Sequence, residues 1–285
     1  EMKTGIVVEG GGMRALRAGV LDVLLEHGIK ADGLVGVSAG AIHGCSFVAG
    51  QAGRSIRYNL KYCRDPRYMS FRSLVTTGDL VGNEFCYHEL PERLDPFDND
   101  AFELRPWSFM PPARMGDRQA GVPQMRQPEG ENIQWIRASA SMPLVSRIVE
   151  IDGHKLLDGG VSDSIPAAAF RKMGFGRSLV ILTRPMVPQK AKPYAPRYPQ
   201  GIPQNPEFIK TMECRHLMYN RELEEVRRME LRGKFLSYGP VILLKQQDRK
   251  QTGEDKQMYE LGRLDGMKAL RDTAGFLGVE PAVCG

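Results

Sequence analysis

The chain carries two glycine-bracketed turns near its start, each coming straight after hydrophobic residues typical of a buried strand. The first turn spans residues 10–14 and the second spans residues 36–40. A helical pattern follows each turn, because apolar residues recur at three- and four-residue steps from 13 to 27 and residues 39–50 favour a second helix. Strand, helix, strand and helix joined by short connections predict parallel strands with right-handed crossovers, and therefore an α/β fold.

The remaining elements are less sharply marked. Residues 54–104 predict mainly helices, whereas the proline-rich stretches 105–130 and 185–206 predict irregular loops, the second of which could be a lid. The other predicted elements are a helix at 133–141, a β-hairpin of 145–151 and 154–157 with a type I′ turn at Asp152 and Gly153, a helix capped by Ser164 that has Pro166 in its first turn and ends at Gly174, a strand at 178–183, a helix at 208–232, a strand at 241–244 and a closing helix at 256–277.

Length and hydropathy indicate one domain of ordinary composition. The 285 residues are 42% hydrophobic, and no stretch approaches the roughly 18 apolar residues that span a bilayer. With no internal repeat or convincing linker, we expect residues 1–285 to form a single domain, with a motif-bearing core at about 4–183 and an extension at about 207–285.

No export signal is visible where Glu1 precedes Met2, although one already removed would not be seen. A cytoplasmic location is expected, and a peripheral position at a membrane is compatible with it.

Charge and cysteine content narrow the classes of partner. The five cysteines are scattered without a CxxC pair, so we expect no metal site and no cofactor. The formal net charge of +5 is compatible with an anionic membrane surface or a phosphorylated substrate. No basic stripe with interleaved aromatic residues occurs, so nucleic acid is not an expected partner. The oligomeric state stays open.

The second turn matches G-x-S-x-G and places Ser38 between Gly36 and Gly40. The pattern alone is weak evidence, since a plain β–α turn with a capping serine also satisfies it. Here it lies between a short apolar strand and a helix-forming run, which is the context of a nucleophile elbow. Ser38 is then expected at the carboxyl end of the strand, beside a helix N-terminus whose dipole favours developing negative charge.

The first turn has a competing interpretation, because residues 10–15 also satisfy the dinucleotide-binding fingerprint G-x-G-x-x-A. That interpretation requires an acidic residue at the end of the second strand to bind a ribose. Ser38 occupies that place in this chain, and Asp32 comes before the strand. The sequence therefore favours acyl chemistry, with a nucleotide-binding protein as an alternative.

In the hydrolase interpretation the glycine loop lies beside the elbow, because sequential strands of a βαβ unit usually neighbour each other. Backbone N–H groups near Gly11 and Gly12 would then face the oxyanion that attack by Ser38 creates. Such donors typically contribute about 3 kcal/mol each to lowering the barrier. Arg14 could add positive charge beside a phosphate group or the oxyanion, although a solvated helix residue explains it equally well.

A catalytic serine needs a base, and the chain offers five histidines: His27, His43, His88, His154 and His216. His43 follows Ser38 by five residues on the same predicted helix and points away from it, while only His88 and His216 stay open as candidates. Neither lies in a tight turn, whereas Asp158 is followed by two glycines. A carboxylate can act directly as general base when burial keeps its basicity high, so we favour a dyad of Ser38 and Asp158.

These three motifs in this order resemble the patatin-like phospholipase family. Its pattern is a glycine-rich loop followed by Arg or Lys, then G-x-S-x-G, then D-G-G or D-G-A, found here at 10–14, 36–40 and 158–160. Residues 137–143 also look like the segment that bacterial members carry before the aspartate strand. The resemblance covers about residues 4–183 and implies a three-layer α/β/α sandwich with a mostly parallel central sheet.

The resemblance also implies the reaction, which is hydrolysis of lipid acyl esters. It makes Ser38 the nucleophile and Asp158 the base, and it gives the oxyanion hole to the backbone of Gly10, Gly11 and Gly12. The expected partner is a lipid ester substrate, presented where such lipids reside. The head group, the acyl position and the chain length stay open.

Two positions depart from the family pattern. Ala15 stands where the family usually has glycine, and residues 103–125 are irregular and proline-rich where members tend to have strand, turn and strand. Other functions are compatible with the same residues: acyl transfer to an alcohol or carrier through the same dyad, or a non-catalytic protein of this fold that binds a lipid or a partner.

Overall fold

The computed structural model describes residues 2–11, 15–104, 113–114, 131–143, 145–190, 206–240 and 252–282. Within these residues the strands are β1 (Lys3–Val8), β2 (Gly33–Gly36), β3 (Ala113–Arg114), β4 (Val149–Ile151), β5 (His154–Leu157), β6 (Phe175–Ile181) and β7 (Phe235–Tyr238). The α-helices are α1 (Ala15–Glu26), α2 (Ala39–Val48), α3 (Arg54–Tyr62), α4 (Phe71–Thr77), α5 (Asn99–Glu103), α6 (Glu131–Ser139), α7 (Ala167–Lys172), α8 (Pro206–Glu213), α9 (Arg215–Leu231) and α10 (Thr252–Leu277). A π-helix (Phe85–Leu94) and a 3₁₀ turn (Gly159–Val161) complete the set.

The main sheet has the strand order β2-β1-β6-β7, and its described strands are all parallel. Val8 pairs with Gly36 on one side and with Ile181 on the other, so the strands end level with one another. Because parallel strands present their carboxyl ends at one edge, the loops after β1, β2 and β6 meet there. The predicted parallel α/β arrangement is confirmed.

Both faces of this sheet are covered by helices. Ile6 and Val8 pack into a core with α1, α2 and α10, whereas Val7 between them packs against α7 and α9 on the opposite face. Buried strands with apolar residues on both faces are the sequence signature of a parallel sheet between two helical layers. The three-layer α/β/α sandwich expected from the resemblance is present.

A small antiparallel sheet of order β3-β5-β4 lies apart from the main one. The turn between β4 and β5 has positive φ at both Asp152 (51°) and Gly153 (73°), as the predicted type I′ turn requires. β3 pairs with β5, although the sequence predicted an irregular loop there. The hairpin carries the chain from β5 directly to Asp158.

Two other predictions are wrong, and a third cannot be compared with the described residues. Ser164 does not cap α7, because its hydroxyl donates to the carbonyl oxygen of Gly160 at 2.9 Å and Pro166 takes the capping position. The long helix predicted at 208–232 is divided at Cys214 into α8 and α9. The strand predicted at 241–244 lies outside the described residues, and β7 forms earlier, at Phe235–Tyr238, where it pairs with β6.

Helices α1 and α10 pack unusually close together because glycines face each other across their contact. A Cβ atom on Gly19 would overlap the Tyr259 carbonyl oxygen, and one on Gly262 would overlap the Leu16 carbonyl oxygen. Both obstacles are backbone atoms, which cannot rotate aside as a flexible side chain could. The close approach ties α10 to the helix that follows the first glycine turn.

We expect Gly262→Ala to destabilise the protein. The methyl group has no space against α1, and overpacking of this kind costs about 1–3 kcal/mol. Gly275→Ala is the matched control in the same helix, since a Cβ atom there meets nothing within 4 Å. It should stabilise the fold by about 0.5–1 kcal/mol through its helix preference. Denaturant unfolding of both variants tests this, and equal free energies of unfolding would contradict the close packing.

Candidate active site

Ser38 lies on a strained elbow between β2 and α2. Its φ of 54° and ψ of −126° are rarely adopted by a residue with a side chain. Such strain costs about 1–3 kcal/mol and persists where the surrounding structure enforces it. The serine is nearly inaccessible to solvent, and it precedes the first residue of α2. The structure thus places Ser38 at the carboxyl edge of the sheet, as the nucleophile-elbow interpretation predicted.

Gly40 is needed because the elbow presses against the end of β1. A Cβ atom at Gly40 would lie 2.6 Å from the Val8 carbonyl oxygen and 2.7 Å from that of Glu9. At Gly36, a Cβ atom would lie 2.6 Å from the backbone nitrogen of Ala41. The two motif glycines are therefore needed because other backbone atoms pack directly against them. The positive φ of the elbow belongs to Ser38 itself.

Asp158 meets Ser38 from the end of the hairpin. The Ser38 hydroxyl donates to Asp158 Oδ2 at 2.7 Å, and the Gly160 N–H donates to Oδ1 at 2.7 Å. The Asp158 N–H donates to the Ser141 carbonyl oxygen at 2.8 Å, and this bond fixes the backbone of Asp158. Each carboxylate oxygen therefore has a partner, and the oxygen beside Ser38 is aligned to receive its proton.

The surroundings of Asp158 suit a carboxylate that accepts a proton. Burial raises the pKa of its carboxyl above the ordinary value, while the Ser38 hydroxyl, the Gly160 N–H and the Arg215 charge each lower it in part. A raised pKa makes the ionised carboxylate a stronger base than one in water.

The glycine loop after β1 is described only as far as Gly11. The Gly10 N–H donates to the Ser164 carbonyl oxygen at 3.0 Å, so this amide is engaged and does not point to an oxyanion, contrary to the role predicted for it. Gly11 has a φ of 155°, and a Cβ atom on it would lie 2.8 Å from the Thr183 hydroxyl oxygen. Gly12 and Arg14 lie outside the described residues.

Glu9, between β1 and the glycine loop, is a buried charged residue that sequence reasoning missed. Its carboxylate accepts the Thr183 N–H and, at 2.8 Å, the Tyr219 hydroxyl. The buried Arg17 guanidinium donates to the Glu9 carbonyl oxygen. Burial is the main cause that raises the Glu9 pKa. A glutamate directly after an apolar strand was the available signal, and its contacts fix the start of the glycine loop.

Ser139 is a second residue whose contact the sequence did not predict. Its hydroxyl oxygen accepts the Ser38 N–H at 3.1 Å, and the side chain is fully buried at the end of α6. It belongs to the segment 137–143 that was singled out only for its resemblance to bacterial relatives. The contact holds the strained backbone of the elbow.

The histidines do not replace Asp158 as partner of the serine. His43 is buried in α2, with neither ring nitrogen hydrogen bonded among the described residues, and burial lowers its pKa well below the usual value. His88 pairs with Glu92 at 3.3 Å, and the His216 ring contacts the Glu213 carbonyl oxygen at 3.1 Å.

A cavity of about 620 Å³ opens beside Ser38. Its volume lies in the range of ligand pockets, about 300–1,000 Å³. Much of the wall is apolar, with contributions from Ile42, Val81, Leu90, Phe97, Ile136 and Met142. The cavity therefore offers an apolar chain a place to lie with its reactive end at the serine.

The described residues hold no group of three or more His, Cys, Asp or Glu side chains suited to binding a metal ion. None of their helices is both long and apolar enough to cross a bilayer.

The structure thus combines a three-layer α/β/α sandwich with a buried serine–aspartate pair at the carboxyl edge of its main sheet. A family model described as patatin-like phospholipase matches residues 6–171, more than half of the chain. The chain therefore belongs to the patatin-like phospholipase family. Membership supports lipid acyl hydrolysis at the level of the family.

The chain is also similar to two individual proteins, one in sequence and one in structure. The uncharacterized protein YjjU of Escherichia coli (strain K12) is 28% identical in an alignment of 191 positions that covers 64% of this chain and 52% of that protein. The chain thus spans about half the length of this relative. The crystal structure of VipD from Legionella pneumophila aligns with a TM-score of 0.47 and 11% identity, covering 96% of this chain and 67% of VipD.

Proposed function

We propose that this protein is a serine hydrolase of lipid acyl esters, with Ser38 as nucleophile and Asp158 as base. The observation that carries the proposal is the 2.7 Å hydrogen bond from the Ser38 hydroxyl to Asp158 Oδ2 on a strained elbow. Family membership supplies the substrate class, and the cavity beside the serine supports it.

We also propose that residues 1–285 act as one domain, because β7 extends the main sheet and α10 packs on α1.

The first half of the reaction forms an acyl-enzyme. Ser38 Oγ bonds to the ester carbonyl carbon as its proton passes to Asp158 Oδ2, and the carbonyl π electrons move to oxygen. The resulting oxyanion is stabilised by backbone N–H groups of the glycine loop, for which Gly11 is the described candidate. The carbonyl then re-forms, the ester C–O bond breaks, and the alcohol leaves with the proton from Asp158.

The second half releases the acyl chain. A water molecule gives its proton to Asp158 Oδ2 while its oxygen bonds to the acyl carbon. The carbonyl re-forms, the bond to Ser38 breaks, and Ser38 Oγ recovers the proton. The products are a fatty acid and the free enzyme, and one water molecule has been consumed. The apolar wall of the cavity would hold the acyl chain through both halves.

Covalent labelling tests this proposal. A fluorophosphonate probe should modify wild-type protein at Ser38, as located by peptide mass spectrometry, and Ser38→Ala should remain unlabelled. In parallel, release of fatty acid from a phospholipid should proceed in water and, with an added alcohol acceptor, should give little transfer product. Labelling at a residue other than Ser38, or ester product instead of acid, would contradict the proposal in its nucleophile or in its reaction.

A further inference from the structure

One face of α9 meets the loops of the candidate site, although the helix lies beyond residues 6–171 that the family model matches. Three side chains at helical spacing make the contacts: Arg215, Tyr219 and Glu222. Tyr219 donates to Glu9 at 2.8 Å, and Glu222 accepts the backbone N–H of Ile165 at 3.0 Å. A helix with successive turns bound to different loops is a fixed part of the site rather than an appendage.

Arg215 is the member of this face that contacts the aspartate loop. Its Nε donates to the Gly160 carbonyl oxygen at 2.8 Å, while the N–H of the same glycine donates to Asp158 Oδ1. A Cβ atom on Gly160 would lie 3.0 Å from Asp158 Oδ1 and 3.2 Å from Arg215 Nη2. The guanidinium and the carboxylate therefore lie on the same side of this turn, with one glycine joining them.

We propose that Arg215 is a positioning residue for Asp158: its guanidinium holds the Gly160 carbonyl oxygen, and the N–H of the same residue orients the carboxylate. The proposal rests on the function proposed above, because Asp158 is the base there. It extends the catalytic apparatus into the chain beyond the three motifs. Arg215 does not touch the reacting atoms, so its effect reaches the reaction through Asp158.

The guanidinium also brings a positive charge close to Asp158, and the other groups near the carboxylate do not supply one. Ser38 and the Gly160 N–H are neutral donors. The Tyr87 phenol of the π-helix interacts electrostatically with Asp158, and its pKa is raised by burial and in part by Asp158. Among the causes that lower the Asp158 pKa, Arg215 contributes the full positive charge.

Glu222 anchors α9 close to this loop. Its carboxyl group accepts the backbone N–H groups of both Ser164 and Ile165, at 3.2 Å and 3.0 Å. Burial and the adjacent Asp163 carboxyl raise the Glu222 pKa above its ordinary value. The Glu222 contact fixes α9 two turns along from Arg215, on the helix from which Arg215 reaches the Gly160 carbonyl oxygen.

The test is the pH dependence of kcat/KM for a short-chain acyl ester, followed by titration of released acid, in Arg215→Gln and Arg215→Lys. Loss of the positive charge should move the acid limb of Arg215→Gln to higher pH by about one unit, since a nearby opposite charge shifts a carboxyl pKa by about 1–3 units. The Lys variant should keep the limb near its wild-type place. Arg221→Gln removes the same charge from an exposed position of α9 and should leave the profile unchanged.

The outcomes separate this inference from the proposed function. An acid limb that stays in place in Arg215→Gln, with activity reduced equally at every pH, would overturn the role of Arg215 while hydrolysis itself stands. Wild-type protein that neither hydrolyses the ester nor labels at Ser38 would overturn the function instead. If Arg215→Gln unfolds at a lower temperature in circular dichroism, Arg215→Lys is used instead, and its rate of fluorophosphonate labelling is measured against pH. An acid limb of that labelling profile shifted to higher pH by one unit, although the charge is kept, would contradict the role of the charge.

Discussion

Ester hydrolysis by Ser38→Ala should fall by roughly 10⁴-fold or more, because loss of a serine nucleophile removes the covalent route and leaves only binding and oxyanion stabilisation. The fold should remain, since the substitution deletes one oxygen and keeps the Cβ atom. The Asp158 carboxylate then loses one of its two partners within the described residues. The measurement is kcat for a phospholipid and a short-chain ester, with circular dichroism as the check on folding.

A glycine variant separates the strain at Ser38 from its chemistry. Alanine keeps the unfavourable φ of 54°, whereas glycine adopts such a conformation readily. Ser38→Gly should therefore be as inactive as Ser38→Ala but more stable, by up to about 1–3 kcal/mol in denaturant unfolding, less the entropy that glycine loses on folding. An active alanine variant would remove Ser38 from the mechanism, and a glycine variant less stable than the alanine variant would argue against backbone strain.

The sequence was most informative where local patterns decide the structure. Apolar runs followed by glycine turns predicted β1 and β2, and the spacing around Ser38 predicted the elbow, because Gly36 and Gly40 must approach other backbone atoms closely. The type I′ turn at Asp152 and Gly153 followed from the same kind of local chemistry. In each case, a few neighbouring residues determine the conformation.

Contacts between distant segments were not predictable in the same way. Ser139 and Arg215 bind the elbow and the aspartate loop through tertiary packing, and neither belongs to a periodic pattern that marks such a role. Ser164 looked like a helix cap because its own surroundings fit one, yet the Gly160 carbonyl competed for its hydroxyl. The pairing of Ser38 with Asp158 crosses 120 residues and was expected only because three motifs agreed.

The break between α8 and α9 shows the same limit. Neither glycine nor proline marks Cys214, so the sequence predicted one continuous helix through it. The interruption lies just before Arg215, whose side chain binds the Gly160 carbonyl oxygen. A helix pattern tells which residues favour helix, but tertiary context can override that preference at a single residue.

Asp158→Asn should abolish most of the activity and at the same time stabilise the fold above neutral pH. The amide keeps the shape of the side chain and can still accept the Gly160 N–H, but it cannot take a proton from Ser38. Replacing a catalytic aspartate by asparagine typically lowers kcat by about 10⁴-fold. Fluorophosphonate labelling of Ser38 should slow in parallel, because the probe depends on the same activated hydroxyl.

The stability gain follows from the direction of the Asp158 pKa. Burial raises this pKa in the folded protein, so the unfolded chain ionises first and stability falls as pH rises from the ordinary carboxyl value through the folded one. An uncharged asparagine removes that loss. The melting temperature of Asp158→Asn should therefore exceed that of wild type at pH 8, with a smaller difference at pH 4. Asp272→Asn, at an exposed position of α10, is the control and should show no such pH-dependent difference. A variant less stable than wild type at pH 8 would mean that the charged contacts of Asp158, including that with Arg215, outweigh its burial.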